Sequence, residues 1–467
     1  MRMVDEITAA VSRFVVDTKL ADIPTDAVGA ALRSILDGLG LAVAGRASLV
    51  GQLAAAEVDS YGCSVTDSSV LGSSVRLPSR FAAFLNGLAI HADDFDDTQL
   101  ATLPDRVYGL LTHPTAPVLP AALALGERLG RSGADLLLAY LVGVETEAKI
   151  SEAIDPRHYE AGFHSTATAG AIGAAAAAAR ILALDVEQTE VALGIAASCA
   201  SGLRENFGTM TKPFHAGRAA ESGVLAAQLA ANGFTAAHNI LEARRGFFSA
   251  AGGGFDRPTM ERLGAPWTFS DPGVSIKPYP SGSLTHPAMT VMAQLLRDND
   301  VQAGDVELVY VGTNRHMPNA LIHHHPADHL AAKFSMEFCM AVLVVAGRAG
   351  LAEFTDEAVR RPDIQSMMER VRFEVDPEAD GTGYNNMTSI VRVHLNNGTV
   401  LRGRADFAKG SPANPMTHDE LFRKFADCLA VGGISSSAAE RAAELVGNLE
   451  DQPALGEITG LLCPAES

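Results

Sequence analysis

The chain has 467 residues, of which 47% are hydrophobic and 19% charged, and its formal net charge is -19. This apolar fraction excludes an intrinsically disordered chain, and the acidic balance argues against a nucleic-acid partner because phosphate binding needs a basic surface. The length exceeds that of one ordinary hydrophobic core, so two domains are expected.

The cysteine pattern and the apolar segments indicate where in the cell the protein is expected. The five cysteines form no C-x-x-C pair, which disfavours a disulfide framework and a structural zinc site. The N-terminal segment has acids inside its apolar pattern and lacks the basic head of a signal peptide. The run 169–184 contains Arg180 and is a poor membrane span. We therefore expect a cytoplasmic protein with no membrane partner.

Helical periodicity fills the first 265 residues almost completely, and strand patterns are nearly absent there. The run 167–180 consists mainly of alanine and glycine and predicts a central, tightly packed helix, because small side chains let helices approach closely. The expected helices are bounded by Gly, Asp, Asn, Ser or Thr and lie at 5–17, 25–44, 79–92, 115–130, 133–153, 165–182, 186–200 and 216–232.

Beyond about residue 270 the pattern alternates as in a β-sheet. Strands are expected at 306–313, 368–376 and 389–407, and Asn397-Gly398 predicts a hairpin turn within the last. Helical stretches separate these strands, which indicates an α+β domain. They lie at 285–298, 329–350 and 355–361.

Helices resume near 417, where Thr417 and Glu420 predict a capping box, and again at 436–448. The C-terminal segment could therefore return to the helical domain. The sequence predicts a mainly α fold, with a large all-helical domain formed by 1–268 and 411–467 and a smaller α+β domain formed by 269–410.

The first candidate for chemistry is the acidic string HADDFDDT, 91–98. If it is helical, His91, Asp94 and Thr98 share one face. A carboxylate there could orient a histidine or lysine in a pocket, whereas the plain alternative is a solvated acidic helix end. A calcium or magnesium site is a third option, without a glycine-containing acidic loop to support it.

Two histidines precede predicted helices. His113 lies in THPTAP, before a proline and therefore in an extended segment, although a lone loop histidine is more often a surface residue. His164 begins the small-residue helix, where a helix N-terminus lowers the pKa of an imidazole and attracts anions. A neutral imidazole there could accept a proton from a carbon acid, or simply pack.

Two lysines lie in turn-like strings. Lys212 in GTMTKPFHAGR precedes a helix and could clamp a carboxylate, with His215 near by. Prolines fix the backbone around Lys277 and Tyr279 in SIKPYPSGSLTHPA, and His286 opens the next helix. Each string alone could be an ordinary turn. The histidine-rich string 323–329 is compatible with a metal site, but a loop near the cleft is the favoured interpretation.

Five strings together resemble the MmgE/PrpD family, which includes 2-methylcitrate dehydratases, cis-aconitate decarboxylases and iminodisuccinate epimerase-like proteins. They occur in the family's order over most of the first 290 residues. The strings are NGLAIHADDFDDT (86–98), THPTAPVLPAALALGE (112–127), GFHSTATAGAIGAAAAAARIL (162–182), SGLRENFGTMTKPFHAGRAA (201–220) and IKPYPSGSLTHPAM (276–289). A weaker string, AAKFSMEF (331–338), extends the likeness.

The resemblance implies a helical domain with an α+β lid, a homodimer, and an active site in the cleft between the domains. No cofactor and no metal is implied. Tyr279 and His286, which follow the second lysine, are expected to bind substrate. The residues that match the family's site are Asp94, Thr98, His113, His164, Lys212 and Lys277.

Three departures bear on the reaction. Fourteen residues separate Thr98 from His113, where many relatives have four or five. Decarboxylase-like members have a histidine five residues past the second lysine, and here that position is Gly282. A tyrosine expected in the lid is Phe338. The last two changes weaken an assignment to cis-aconitate decarboxylation.

The resemblance implies proton chemistry at a carbon α to a carboxylate of a small di- or tricarboxylate. The two lysines would bind carboxylates, and His113 or His164 would move the proton, while Asp94 would fix a histidine tautomer and Thr98 would bind substrate. We rank a 2-methylcitrate dehydratase-like hydro-lyase first, an epimerase or isomerase second and a decarboxylase third. A non-catalytic anion-binding relative and a metal hydrolase remain alternatives.

Overall fold

The computed structural model describes residues 6–100, 110–154, 157–319, 321–382 and 386–464. Most of the N-terminal part is helical, as predicted. Its helices are α1 (Ile7–Asp17), α2 (Thr25–Ala47), α3 (Leu49–Asp59), α4 (Ser79–His91), α5 (Thr115–Arg128), α6 (Gly133–Ile154), α7 (Arg157–Glu160), α8 (Ser165–Leu182), α9 (Val186–Cys199), α10 (Thr211–Ala231), α11 (Phe247–Gly252) and α12 (Arg257–Met260). Two short antiparallel pairs interrupt them, β1 (Ser68–Ser69) with β2 (Arg76–Leu77) and β3 (Gln99–Leu100) with β4 (Leu110–Thr112).

Helix α8 is the central helix of this domain, and nearly all of it is buried between α5, α6 and α10. Its small residues permit very close approach. A Cβ on Gly173 would lie 2.8 Å from the carbonyl oxygen of Gly143, and one on Gly223 would lie 2.5 Å from the Cβ of Ala174. The predicted tight packing of this helix is confirmed, and it fixes the position of the α8 N-terminus.

A second hydrophobic core belongs to the α+β part. Its sheet has the strand order β6-β5-β7-β8, parallel between β5 and β6 and otherwise antiparallel. The strands are β5 (Val306–Thr313), β6 (Val371–Val375), β7 (Ser389–Leu395) and β8 (Val400–Ala405). The associated helices are α13 (His286–Asp298), α14 (His329–Ala332), α15 (Met336–Ala346), α16 (Asp356–Arg360), α17 (Pro362–Met368) and α18 (Pro377–Asp380).

The C-terminal helices return to the first core, through contacts of α19 with α2. They are α19 (His418–Val431), α20 (Ser436–Gly447) and α21 (Gly456–Leu461), and the Thr417–Glu420 capping box is present. The mainly α fold with a smaller α+β domain is therefore confirmed. The domain boundaries at 268/269 and 410/411 stay a prediction, although Ile276 packs in the first core and Leu284 in the second.

Three elements differ from the sequence-based expectations. Helix α10 begins at Thr211 rather than 216, since Pro213 lies in its first turn, where a missing N–H costs no helical hydrogen bond. Helix α3 was not expected, and Ser48 caps it by accepting from the N–H of Gly51. The helix expected over 329–350 is two helices, because Ser335 caps a new start at α15.

Helix α2 is an apolar segment that the sequence analysis did not single out. It is long and apolar enough to cross a membrane by length and composition alone, with a mean hydropathy of 1.5 over its most apolar window. That window is 72% buried inside the protein, as in the core helix of a globular domain. The sequence pattern obscured it because Arg33 and Asp37 interrupt the apolar residues. All five cysteines are free.

Candidate active site

The acidic string does not form the helix that would align its side chains. Helix α4 ends at His91, and Asp94 has a φ of +50°, in the left-handed region that aspartate tolerates better than most residues. The segment is therefore not helical beyond His91, and the condition for a shared helical face of His91, Asp94 and Thr98 is not met. Thr98 and Ser275 exchange two backbone hydrogen bonds of 2.8 Å, which hold the acidic loop against the Lys277 segment.

Asp94 joins the two predicted lysines. Its Oδ1 accepts from Lys212 Nζ at 2.6 Å and from Lys277 Nζ at 2.9 Å, and its backbone oxygen accepts from Lys277 Nζ at 2.8 Å. All three residues are at least 95% buried. Burial would raise the pKa of the Asp94 carboxyl, but Lys212 and Lys277 together hold it well below its usual value. Burial lowers the pKa of Lys212, and Asp94 opposes that shift.

Asp96, rather than Asp94, orients a histidine. Asp96 Oδ2 lies 2.8 Å from Nδ1 of His91 and 3.5 Å from Nδ1 of His113. The hydrogen bond expected to fix a histidine tautomer is therefore made by Asp96 in this structure, whereas Asp94 Oδ1 accepts from two ammonium groups. The sequence analysis named His91 only as part of the acidic string and did not single out Asp96. The signal that could have found them is their presence in the same acidic string.

His113 lies in the loop between β4 and α5, as its proline neighbour predicted. Its backbone N–H donates to Thr166 Oγ1 at 3.0 Å, and its ring Nδ1 lies 3.0 Å from the backbone oxygen of Asp97. A carbonyl oxygen only accepts, so this contact assigns the hydrogen to Nδ1 and leaves Nε2 as an acceptor. Thr98 Oγ1 is 3.4 Å from the same Nδ1.

His164 is the N-cap residue of α8, as predicted from the small-residue string. Its Nδ1 lies 3.1 Å from Nδ1 of His215, so one ring donates and the other accepts. Its Nε2 is buried and has no hydrogen-bond partner within the described residues. The sequence places His215 three residues after Lys212, but it contains no signal for the contact of His215 with His164.

Three imidazoles therefore share one buried space. The ring centroid of His91 lies 4.5 Å from that of His113 and 5.8 Å from that of His164, and the last two are 6.3 Å apart. Burial, followed by the charge of Lys212, lowers the pKa of each well below its usual value. All three are neutral near pH 7 and can accept protons or hydrogen bonds.

The expected substrate-binding residues divide into two groups. Thr98 is fully buried beside the histidines. Tyr279 and His286 lie further along the Lys277 segment, with ring centroids 5.6 Å apart, and His286 Nε2 lies 3.1 Å from the backbone oxygen of Ser281. Burial lowers the pKa of His286 to about 3 and raises that of Tyr279 to about 12. In the described part of the chain, neither makes a hydrogen bond to the lysines or the three histidines.

The structure shows the surroundings of two of the three departures from the family pattern. A Cβ on Gly282 would meet Cδ1 of Phe334 at 3.2 Å, so this aromatic ring occupies the space next to the glycine. Phe338 is fully buried in the second core, with its ring centroid 5.3 Å from that of Phe354. Most of the long segment between Thr98 and His113 lies outside the described residues, which resume at 110.

A layer of buried acids and one lysine supports the acidic loop. Burial raises the pKa of Asp96 and of Asp97 to about 7, and that of Asp37 to about 6. Lys424 of α19 pairs with Asp37 at 2.7 Å, and its Nζ donates to the backbone oxygens of Phe95 at 2.8 Å and Lys277 at 2.9 Å. Sequence reasoning missed Lys424, because its partners are about 150 or more residues away.

Two overlapping groups in the site and one histidine-rich string bear on metal binding. The first group is His91, His113 and His164, and the second is His91, Asp94, Asp96 and His113; in each group one ligand atom per residue lies within 4.8 Å of the others. Zinc needs ligand nitrogens at about 2.0–2.1 Å from the metal, and the charges of Lys212 and Lys277 oppose a cation there. In the histidine-rich string, His324 and His329 pair with carboxylates at 2.7 and 2.6 Å. No three-ligand group occurs in that string within the described residues.

Known proteins resemble the whole chain. The sequence profile of the MmgE/PrpD N-terminal domain matches residues 9–259, and that of the MmgE/PrpD C-terminal domain matches residues 279–451. Cis-aconitate decarboxylase of Homo sapiens is 28% identical over 474 residues, covering 98% of this chain and 95% of the relative. The Mus musculus protein of the same name is 28% identical, covering 98% and 94%, and that of Aspergillus terreus is 28% identical, covering 99% and 97%.

Proposed function

The chain belongs to the MmgE/PrpD family, and from this premise we propose that it is a lyase acting on a small di- or tricarboxylate. The reaction begins with removal of a proton α to a carboxylate. The observation that carries the proposal is the convergence of two buried ammonium groups and three neutral imidazoles around the Asp94 loop.

The lysines have capacity for a second carboxylate. An ammonium group has three N–H donors. Among the hydrogen bonds of the described residues, Lys212 Nζ uses one donor on Asp94, and Lys277 Nζ uses two on the same residue. Two ammonium groups and one carboxylate leave a net positive charge in a buried environment, where an organic anion is strongly favoured.

The same charges favour the reaction itself. When the α-proton leaves, negative charge spreads onto the carboxylate oxygens, and fixed N–H donors stabilise that charge more than they stabilise the substrate. A neutral imidazole is the proton acceptor, because burial keeps the histidines unprotonated. Dehydration, epimerisation and decarboxylation can all proceed from the resulting carbanion-like state.

Dehydration of a 2-methylcitrate-like hydroxy acid is our first choice of reaction. It is supported by Gly282 and by the packing of Phe334 next to it, because this chain lacks the histidine that the decarboxylase-like pattern has there. Decarboxylation of a cis-aconitate-like acid is the second candidate, and the similarity to three cis-aconitate decarboxylases supports it. Epimerisation or isomerisation remains an alternative of the same chemistry.

We also propose that the enzyme acts without a cofactor, in the cytoplasm, and as a homodimer. The dimer proposal is supported by exposed apolar side chains near α3, α4 and α10. Leu49, Leu53 and Phe214 are each more than 40% exposed, and exposed Tyr61 stacks on Phe81 with ring centroids 5.7 Å apart. Sedimentation at micromolar concentration tests this directly, and a monomer would contradict it.

The test of the function is a panel of di- and tricarboxylates, including 2-methylcitrate and cis-aconitate, incubated with the full chain and followed by proton NMR. Loss of water from a hydroxy acid supports the first choice, and release of carbon dioxide supports the second. Chelation followed by metal analysis accompanies the assay. A stoichiometric zinc ion that supports activity would contradict cofactor independence and favour a metal hydrolase.

Lysine variants distinguish a lyase from a relative that binds anions without catalysis. We expect Lys212→Met and Lys277→Met to abolish turnover, whereas Lys19→Met, on an exposed residue, leaves it unchanged. If acids bind to the wild-type chain but none is turned over or exchanges its α-hydrogen in D₂O, the lyase proposal fails. The chain would then be an anion-binding relative.

A further inference from the structure

The three clustered histidines differ in what their Nδ1 atoms contact. For His91 the partner is the carboxylate of Asp96, at 2.8 Å. For His113 it is the backbone oxygen of Asp97 at 3.0 Å, with Asp96 Oδ2 further away at 3.5 Å, and for His164 it is the ring of His215. When an imidazole accepts a proton at Nε2 it becomes a cation, and a carboxylate at Nδ1 stabilises that cation far more than a neutral group does.

Nε2 of His91, like Nε2 of His164, is buried and available as an acceptor. The side chains of His91 and Asp96 are completely buried, and His91 Nε2 has no hydrogen-bond partner in the part of the chain that the structure describes. One nitrogen of each of His91, His113 and His164 lies within 4.8 Å of the others. A buried imidazole with one nitrogen on a carboxylate and the other unpartnered has the arrangement of a general base with its orienting group.

We propose that His91, oriented by Asp96, is the general base that removes the α-proton of the substrate. This inference rests on the proposed lyase function. It differs from the sequence-based expectation, in which His113 or His164 moves the proton. The remaining histidines then contact the substrate as neutral partners, and Asp96 is a positioning residue because it acts through His91.

A hydroxy acid loses water in two steps. The C–H electron pair passes into the substrate as its proton forms an N–H bond with Nε2 of His91, and the enolate-like anion is held by Lys212 and Lys277. The anion's electron pair then forms the C=C bond as the C–O bond breaks. The imidazolium returns its proton to the departing hydroxide, so that water leaves and His91 is neutral again.

Asp96 makes this base depend on pH. Burial raises the pKa of Asp96 to about 7, and the nearby charges of Lys277 and Lys212 limit that rise. An ionised Asp96 accepts the Nδ1 hydrogen of His91 and leaves Nε2 as an acceptor. A protonated Asp96 donates to Nδ1, which places the hydrogen on Nε2 and removes the base. The other titratable or charged groups around the pair are Asp37, Asp94, Asp97, His113, His164 and His215.

The experiment measures turnover and α-deuterium incorporation for the wild-type chain and for His91→Gln, Asp96→Asn, His113→Gln and His164→Gln. We expect Asp96→Asn to lower kcat by about 10²–10⁴-fold with little change in KM, and His91→Gln to abolish deuterium incorporation. In the wild-type chain kcat should rise with pH through about 7, and in Asp96→Asn that limb should vanish.

The matched control is His158→Gln. His158 is a second buried histidine, whose ring contacts Thr168 Oγ1 at 2.7 Å and the backbone oxygen of Ala251 at 2.9 Å. We expect it to retain activity within about threefold. ¹⁵N NMR of histidine-labelled wild-type chain gives a reading that needs no variant, with the hydrogen of His91 on Nδ1 at pH 8.

The outcomes separate the two claims. If the wild-type chain exchanges deuterium and His91→Gln keeps at least a third of that rate, the base is another histidine and this inference fails while the lyase proposal stands. An Nε2–H tautomer of His91 at pH 8 would also overturn it. A wild-type chain that exchanges with none of the acids overturns the proposed function, and this inference with it.

Discussion

Asp94 Oδ1 lies 2.6 Å from Lys212 Nζ, and the two residues are separated by 118 positions in the chain. The same oxygen lies 2.9 Å from Lys277 Nζ. One carboxylate therefore holds two ammonium groups from different segments in a buried space. This contact makes the site possible, because two unpaired ammonium groups at such depth would repel each other and lose their hydration.

Replacement of Asp94 by asparagine should destabilise the fold. The two buried ammonium groups lose their counter-charge, and we expect the free energy of unfolding to fall by about 3–5 kcal/mol, as for other broken buried pairs. Urea denaturation at pH 7 measures this. Lys212→Met should then cost less in the Asp94→Asn background than in the wild-type chain. If Lys212→Met lowers the free energy of unfolding equally in both backgrounds, Asp94 and Lys212 are not energetically coupled.

Lys424 should stabilise the acidic loop in a pH-dependent manner. Lys424→Met leaves the Asp37 carboxyl buried without its cation, which costs about 3–5 kcal/mol when that carboxyl is ionised. Burial raises the pKa of Asp37 to about 6 even beside Lys424, so at pH 5 the carboxyl of the variant is neutral and the loss is smaller. Denaturation at pH 5 and pH 8 tests the difference.

The control for this variant is Lys409→Met. Lys409 pairs with Glu420 at 2.9 Å near the protein surface, where the two side chains are 26% and 34% exposed. Such a pair contributes about 0–1 kcal/mol, with little difference between the two pH values. A loss for Lys424→Met that is equal at pH 5 and pH 8 would contradict the assigned role of Asp37.

Asp97 should make stability fall as pH rises. Burial raises its folded-state pKa to about 7 from a usual value of 3.8, although Thr115 donates to it at 2.6 Å. Between these values the folded state binds a proton that the unfolded state has lost. The contribution of Asp97 is therefore complete below about pH 3.8 and is lost as pH rises through about 7.

The measurement for Asp97 compares how steeply the free energy of unfolding changes with pH in the wild-type chain and in Asp97→Asn. Relative to Asp97→Asn, which cannot titrate, the wild-type chain should lose about 1.4 kcal/mol of unfolding free energy per pH unit between pH 5 and 7. Other buried groups titrate in both proteins and cancel in the difference. A difference that is flat across this range would show that Asp97 is ionised throughout.

Gly282 should not tolerate a side chain without adjustment of Phe334. Its φ of -57° suits any residue, so the obstacle is the 3.2 Å approach of a Cβ to Phe334 Cδ1. We expect Gly282→His to lower the free energy of unfolding by about 1–3 kcal/mol, as in other overpacked sites. Phe334→Leu in the same chain should restore much of this loss. If Phe334→Leu does not recover the unfolding free energy, the steric conflict of the new side chain lies with a residue other than Phe334.

Local patterns sufficed for most of the fold. The predicted strand at 306–313 and the helix at 165–182 have the bounds expected for them, because alternation and helical periodicity are strong there. The Asn397-Gly398 turn also lies between β7 and β8 as expected. The start of α10 was missed by five residues, since a proline in a first turn resembles a break.

The site was only partly accessible from sequence. Resemblance supplied Asp94, His113, His164 and the two lysines, and the structure brings these residues together. The resemblance could not supply the hydrogen-bond partners of these residues. Those partners depend on the left-handed backbone conformation of Asp94, which turns the carboxylates of the loop in different directions. That turn places Asp94 on the lysines and Asp96 on His91. Distant contacts such as that of Lys424 had no local signal at all.

The most direct test of the central claim is the rate of α-deuterium incorporation into a bound polycarboxylate in D₂O. The account predicts that the wild-type chain exchanges the α-hydrogen of at least one acid in the panel. It also predicts that the Lys212→Met/Lys277→Met double variant, checked for folding by circular dichroism, does so at least 10²-fold more slowly. Exchange at the wild-type rate in a folded double variant would contradict the claim that these two ammonium groups hold the reacting anion.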